Sequence, residues 1–302
     1  MKLLRQRANV VSLVRAFFAQ RDFLEVETPL LVPSPGLDLH LEAFEVVTRS
    51  PARYLITSPE YLMKRLLAEE HPRIFQIAKC FRKGEEGERH NPEFTMLEWY
   101  RAGAGIDDVM RDTEELVALV TGGRVILGDR TIDTRAPCER WTVCEAFERF
   151  AGTSEDETLD MAANDEDRYF ALMVDAVEPG LAALDHAVFL VDYPASQASL
   201  ARKKPDDPRV AERFELYVAG LELCNGFGEL TDAAEQRARL ERDREERSAR
   251  GLPVYPIDEK FIDALAHVPP SGGNALGLDR LVALVCGTTE IRRVMLFTVD
   301  EL

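Results

Sequence analysis

The chain has little that would tie it together covalently or anchor it to a membrane. Its five cysteines (Cys80, Cys138, Cys144, Cys224 and Cys286) are odd in number and form no CxxC pair. That argues against both a disulfide framework and a zinc site. No apolar run approaches the roughly 18–20 residues of a membrane helix. Met1-Lys2-Leu3-Leu4-Arg5-Gln6-Arg7 lacks the apolar stretch and small-residue cleavage site of a secretory signal. A reducing compartment, the cytoplasm, is the expectation, with no membrane partner. Cations are scarce as well: 37 Lys and Arg against 54 Asp and Glu leave a net charge of −17. This counts against a surface that tracks nucleic acid, although it leaves room for a local basic groove. Neither GxxxxGK[ST] nor a strand-borne GxGxxG occurs, so any nucleotide site has to be built without those loops.

What is present suffices for a large core. The 46% hydrophobic fraction excludes global disorder, and 302 residues suit one large domain or one domain carrying an insertion. Apolar spacing predicts a first helix through Leu4, Ala8, Val11 and Phe18. Residues 23–29 alternate like a strand that Pro29 stops. Residues 74–82 and 93–101 read as two strands joined by a long polar loop, 83–92, longer than a hairpin needs. Helices are predicted over 107–120 and 143–150, and a buried strand over 187–193. Residues 232–250 read as a charged helix opened by an Asp232-x-x-Glu235 cap. The acidic, Ala-rich stretch 153–167 reads as a variable or mobile segment. Antiparallel strand pairs with helices between them indicate an α+β domain.

The chemistry gathers on a few strands. If Ala219-Gly220 is a two-residue turn, Tyr217 faces Glu222 and Glu215 faces Cys224. Glu215 and Glu222 then share a sheet face as diagonal neighbours. Such a pair suits Mg²⁺ bound to polyphosphate oxygens, or it is simply two exposed strand glutamates. Phe94, Met96, Glu98 and Tyr100 share one face of their strand. Asn225, Phe227 and Glu229 alternate likewise, and a bulge near Cys224-Asn225-Gly226 is needed to bring them to the Glu222 side. Glu60, Glu98 and Glu229 would form an acidic face suited to a diamino acid. Arg82 ends a strand at the mouth of the long loop. Arg280, at the start of an apolar helix after Gly277, can present its fork to phosphate beside free helix N–H groups.

Taken in order, these segments resemble the three motifs of class II aminoacyl-tRNA synthetases. The first helix with 23–29 resembles motif 1, the dimer-forming segment ending in proline. Phe81-Arg82 through Arg89-His90-Asn91-Pro92-Glu93-Phe94-Thr95-Met96-Leu97-Glu98 resembles motif 2, and Gly277-Leu278-Asp279-Arg280-Leu281 resembles motif 3. His90 to Met96 and Asn225-Gly226-Phe227-Gly228-Glu229-Leu230 are similar to the lysyl type. Tyr193-Pro194-Ala195-Ser196-Gln197-Ala198-Ser199-Leu200-Ala201 and Ala275, where the synthetase has glycine, resemble its short paralogues instead. The resemblance implies a class II catalytic core over 1–302, an antiparallel sheet flanked by helices. A variable helical insertion is expected around 103–185, with no anticodon-binding OB domain.

The same resemblance implies an ATP-dependent, AMP-forming ligase. It would activate (R)-β-lysine as an adenylate and pass it to a lysine ε-amine of elongation factor P, with Mg²⁺, as a homodimer and without tRNA. Arg82 and Arg280 would be catalytic. ATP would meet Arg82, Lys83, Gly84, Glu85, His90, Asn91, Phe94, Glu222, Leu223, Gly277 and Arg280, with Phe94 stacking on adenine. Glu215 and Glu222 would ligate the metal. Ser58 and Glu60 would receive the substrate amine, and Glu98, Tyr100 and Glu229 would surround the distal ammonium. Asn225 would meet the carboxylate, Phe227 would line the pocket and Ala275 would make its floor shallower. The family's Arg-Asn-Glu is here Arg82-Lys83-Gly84-Glu85, so Glu85 replaces the glutamate only if the loop shifts register. Two alternatives stand beside this reading: a lysyl-type core charging tRNA, and a non-catalytic synthetase-like regulator.

Overall fold

Alternation along residues 73–102 produces the long hairpin around which the fold is built. The computed structural model describes residues 2–47, 51–69 and 71–301, without the Lys2 side chain. Met1 and Leu302, the ends of the expected core, lie outside the described residues. The chain begins with α1 (Lys2–Ala19), four short strands β1 (Leu24–Glu25), β2 (Leu31–Val32), β3 (Glu45–Val46) and β4 (Arg53–Leu55), and α2 (Glu60–Leu67). The hairpin β5 (Arg73–Phe81) and β6 (Glu93–Ala102) follows, then α3 (Ile106–Thr121), β7 (Arg124–Leu127), β8 (Arg130–Asp133) and β9 (Glu139–Thr142). A helical stretch comes next: α4 (Val143–Ala151), α5 (Glu155–Asn164), α6 (Glu166–Leu172), a π-helical turn at Met173–Val177, and α7 (Glu178–Ala182). The chain closes with β10 (Val188–Pro194), β11 (Val210–Val218), β12 (Leu221–Gly228), α8 (Ala233–Ala249), α9 (Glu259–Leu265), β13 (Ser271–Gly277) and α10 (Leu278–Val285).

The principal sheet has eight strands in the order β1-β5-β6-β13-β12-β11-β10-β9. All neighbours are antiparallel except the two edge pairs, β1 with β5 and β9 with β10. Because side chains alternate across a strand, one face carries Trp99, Leu97, Leu276, Cys224, Leu216, Phe214 and Phe189. That face is covered by apolar side chains of α1, α3 and α10. Phe18 of α1 stacks on Phe75 with ring centroids 4.6 Å apart. The other face carries, in one row across five strands, Gln76, Glu98, Ala275, Asn225 and Glu215. The next row carries Tyr100, Gly273, Phe227 and Arg213.

Three expectations need correction. Residues 23–29 form a strand only at Leu24–Glu25, since the segment lies at the sheet edge with a neighbour on one side alone. Residues 153–167 are ordered as helix: Ser154 accepts from the Glu157 amide, the Glu157 carboxylate reaches back to the Ser154 amide, and α5 follows. That capping box is an N-terminal signal hidden in an acidic composition. Finally, the turn at Ala219-Gly220 is correctly located, with both residues at positive φ, but Glu215 faces Asn225 rather than Cys224. The ladder shifts by one residue between Glu222 and Cys224, so the bulge falls at Leu223. Its effect is the one required: Glu222 and Asn225, three residues apart, end on the same face.

Within 103–185, α3 belongs to the central core, whereas α4 to α7 build a separate cluster around Phe147, Met161, Tyr169, Val177 and Leu181. Gly226 sets the packing of the central strands, because a Cβ there would lie 2.2 Å from Phe214 Cζ. Gly226→Ala should cost about 1–3 kcal/mol by overpacking. Gly87→Ala, where a Cβ meets nothing within 4 Å, should change stability by less than about 0.5 kcal/mol. Urea denaturation of both variants checks the contrast.

Candidate active site

Over the polar face of the sheet lies a cavity of about 660 Å³, walled by the loop after β2, the start of α2, the 83–92 loop, α6 and the start of α10. Of the residues expected at ATP, Arg82, Glu85, His90, Asn91 and Phe94 line it, together with Glu222, Leu223, Gly277 and Arg280. Lys83 and Gly84 do not. The Lys83 ammonium is paired with Glu42, and the glycine takes a positive φ that turns the loop. Ser58, Glu60, Asn225, Phe227 and Ala275 line the same cavity. Glu98, Tyr100 and Glu229 are fully buried beneath it.

At one end the charges are positive. The Arg82 guanidinium lies over the Phe94 ring, 5.0 Å from its centroid, and Glu85 is 3.5 Å from its Nη1. Arg82 Nε is buried and has no hydrogen-bond partner among the described residues. Arg280 donates from Nη1 to the Glu222 carbonyl at 2.6 Å and approaches His90 Nε2 with Nη2 at 2.9 Å. Burial and the Arg280 charge push the His90 pKa down, so the ring stays neutral as an acceptor of that donor. Asp279 fixes the start of α10 by accepting from the Thr95 amide at 2.6 Å and pairing with Arg7 at 2.5 Å. An electron-rich oxygen entering here meets two arginines, one of them over the Phe94 ring.

Glu215 and Glu222 occupy one wall. Arg213 Nη2 donates to Glu215 Oε1 at 2.6 Å and Tyr217 donates its hydroxyl to Oε2 at 2.8 Å. Burial, then the neighbouring Glu215, raises the Glu222 pKa. Among the described residues no group of three or more His, Cys, Asp and Glu could hold a metal ion by itself. Two neighbouring carboxylates could contribute to holding a hard cation only if phosphate oxygens and water completed its shell.

At the other end the charges are negative. Ser58 donates to Glu98 Oε2 at 2.8 Å, and the Tyr100 hydroxyl donates to Oε1 at 2.5 Å. Burial, with Glu60 adding to it, pushes Glu98 up to about 8, and burial pushes Glu229 up to about 7. Glu60 and Glu229 are bridged by Lys64, whose Nζ is 2.6 Å from Glu60 Oε1 and 2.5 Å from Glu229 Oε2. Burial works against the Lys64 charge, but the two glutamates outweigh it and keep it protonated.

Lys64 and Arg213 are among the polar residues of this site that were not expected. Lys64 could have been found as the i+4 partner of Glu60 on a helix whose neighbouring positions, Met63 and Leu67, are apolar. Arg213 lies two residues before Glu215, hence on the same strand face. It also donates to Asn225 Oδ1 at 3.2 Å and packs over Tyr193.

A family model described as class II tRNA synthetases (D, K and N) matches residues 1–301. Among curated relatives, the elongation factor P–(R)-β-lysine ligase of Proteus mirabilis (strain HI4320) is 42% identical over 320 aligned positions, covering 98% of this chain and 94% of the relative. The protein of the same name from Salmonella agona (strain SL483) is 42% identical over 322 positions, covering 99% and 95%.

The acidic end generates a pH dependence with a definite sign. Glu98 and Glu229 hold protons below about 8 and about 7, respectively. A diamine needs both carboxyls ionised, so its binding releases protons and tightens as the pH rises from about 6 to about 8. Isothermal titration in two buffers of different ionisation enthalpy reads that release, and Glu98→Gln should reduce it. An affinity flat across this range would contradict the assignment of these shifts.

Proposed function

The chain belongs to the class II tRNA synthetase family (D, K and N), and on that premise we propose an ATP-dependent, AMP-forming ligase that activates (R)-β-lysine and transfers it to a lysine ε-amine of elongation factor P. The observation that carries the reading is one register row. Glu98, Ala275, Asn225 and Glu215 stand side by side across the sheet, linking an acidic amine end to an arginine-rich phosphate end. A diamino acid and a nucleoside triphosphate need those two ends in one cavity.

In the first step a substrate carboxylate oxygen attacks the ATP α-phosphorus, the α–β bridging P–O bond breaks, and pyrophosphate leaves. Arg82, with its unpartnered Nε, meets the carboxylate and the α-phosphate. Arg280 and the neutral His90 meet the outer phosphates, while Phe94 and the Gly277 backbone hold the adenine ring. Asn91, Glu85 and Leu223 complete the nucleotide walls. Glu215 and Glu222 would hold Mg²⁺, which supplies charge neutralisation on the phosphates. Catalysis at this step is positioning and electrostatics, with no side-chain nucleophile. In the second step the acceptor nitrogen attacks the acyl carbon, AMP leaves with the bonding electron pair, and the amine loses a proton.

Selection of the amino acid follows the acidic end. Ser58 and Glu60 would receive the amine near the carboxylate, and Asn225 the carboxylate itself. Glu98, Tyr100 and Glu229 would receive the distal ammonium, with Phe227 along the chain. Ala275 packs against Met96 and Phe94 in a small apolar cluster. Its methyl would make the floor shallower for an α-amino acid, a discrimination of about 1–3 kcal/mol. The net charge of −17 supports a protein acceptor over tRNA. No helix among the described residues is long and apolar enough to cross a membrane, and none of the five cysteines forms a disulfide. Both agree with a cytoplasmic enzyme.

Pyrophosphate exchange tests the first step, and the mass of elongation factor P tests the second. Exchange should be faster with (R)-β-lysine than with α-lysine, and the acceptor should gain one lysyl mass. Arg82→Ala should lower exchange by about 10²-fold or more. No exchange with either amino acid, or charging of tRNA with no mass gain on the protein, would overturn the reading.

A homodimer is proposed through α1 and residues 24–31, supported by the exposure of Leu4, Leu13, Leu24, Leu30 and Leu31 on that one segment. Light scattering should give twice the 34.0 kDa chain mass, and a monodisperse monomer would contradict it.

A further inference from the structure

Lys64 is an unusual residue for a substrate pocket that selects ammonium groups, because it supplies one of its own. Its side chain is 1% exposed and crosses from α2 to the end of β12, joining Glu60 to Glu229. A buried charge of this kind is costly unless it is fully paired, and pairing alone seldom adds net stability. We infer that Lys64 is a positioning residue for the distal ammonium of the substrate: it anchors the two carboxylates and sets the formal charge of the pocket to −2. The inference deepens the ligase reading above and rests on it.

Two observations carry it. The first is charge count. With both buried carboxyls ionised, as a bound diamine requires, Glu60, Glu98 and Glu229 bring three negative charges and Lys64 one positive, so the cluster is matched to a diamino acid with two ammonium groups. The second is an orphan acceptor. Both Glu229 oxygens are buried without a hydrogen-bond partner among the described residues; Lys64 makes an ion pair with Oε2 at 2.5 Å and leaves Oε1 without even that. That free oxygen lies above Gly273, where a Cβ would sit 2.3 Å from it and 2.3 Å from Tyr100 Cε1. The missing side chain at Gly273 is what lets the oxygen and the Tyr100 ring pack directly against that strand. Arg202 also acts on Glu229 from further away, but it is paired with Glu212 at 2.6 Å.

Removing the Lys64 charge leaves three carboxylates, two of them buried, without their cation, and the cluster then holds its protons more tightly. A protonated, unanchored Glu229 no longer receives an ammonium. The loss falls on substrates with a charged tail and spares those without one.

The experiment compares pyrophosphate exchange for (R)-β-lysine and for its isostere with a methyl in place of the distal ammonium. Lys64→Met should raise KM for the diamino acid about tenfold or more, leaving kcat and the isostere's KM within about threefold. Lys64→Arg, which keeps the charge, should recover most of the preference. A second variant guards against misfolding: Glu60→Gln with Lys64→Met removes the pair together and returns the formal charge to −2. It should raise both KM values alike while keeping the preference for the charged tail. Equal loss on both substrates in Lys64→Met, no loss on either, or a double variant that loses the preference would overturn the inference. Wild-type protein that binds neither diamino acid by calorimetry overturns the ligase reading and this inference together. Exchange without transfer to elongation factor P overturns the ligase reading alone.

Discussion

The pleat of the central sheet is the constraint on which the rest depends. Each strand has to satisfy two faces at once, a back face buried under α1, α3 and α10 and a front face that carries polar groups. A slip of one residue would exchange the two, placing Trp99 and Leu276 in the cavity and Glu98 and Ala275 in the core. The apolar back therefore enforces the register of the polar front. Leu223 shows the same rule from the other side. The strand needs Glu222 and Asn225 on one face with Leu221 and Cys224 on the other, and strict alternation cannot supply that. One extra residue in the ladder can, at the cost of a local break in pairing.

The front face carries buried charges of both signs, kept apart along the sheet. At the phosphate end the arginines are only partly enclosed, and Arg82 and Arg280 have solvent-accessible faces. At the amine end burial is nearly complete, and the carboxylates respond by rising in pKa instead of remaining fully ionised. Arg213 and Lys64 play parallel parts at these two ends. Each is a cation that pairs with a carboxylate, Arg213 with Glu215 and Lys64 with Glu60 and Glu229.

Much of this was legible in the sequence, because alternation and spacing are local properties. The shared face of Phe94, Met96, Glu98 and Tyr100 follows from period two, and the turn at Ala219-Gly220 follows from residue type. What was not legible depends on contacts distant in sequence. Lys64 looks like an ordinary helix-surface lysine until Glu229, 165 positions later in the chain, is brought against it. The bulge was expected near Cys224-Asn225-Gly226 and lies just before it at Leu223, because alternation alone requires an extra residue without fixing which one. Residues 153–167 misled through composition: acidity suggested a mobile segment, while Ser154 and Glu157 form a capping box and Thr158, Met161 and Ala162 are buried. The edge strand at 24–25 is shorter than its alternation implied, because only one neighbour holds it.

The two half-reactions make unequal demands on this architecture. Forming an adenylate requires a carboxylate, an α-phosphate and several charges fixed to fractions of an ångström, which a sheet locked by its own core can provide. Transferring the acyl group requires only that one amine reach the carbonyl, since the adenylate already carries its leaving group. On the proposed reading, residues on the rigid strands would select the amino acid, and the acceptor would meet the surface around the cavity mouth. The net charge of −17 over the whole chain raises the barrier to a polyanion more than to a lysine ammonium. Part of the acidity that first argued against nucleic acid lies at Glu60, in the cavity wall, and at Glu98 and Glu229 beneath it, where the proposed amine substrate would draw on it.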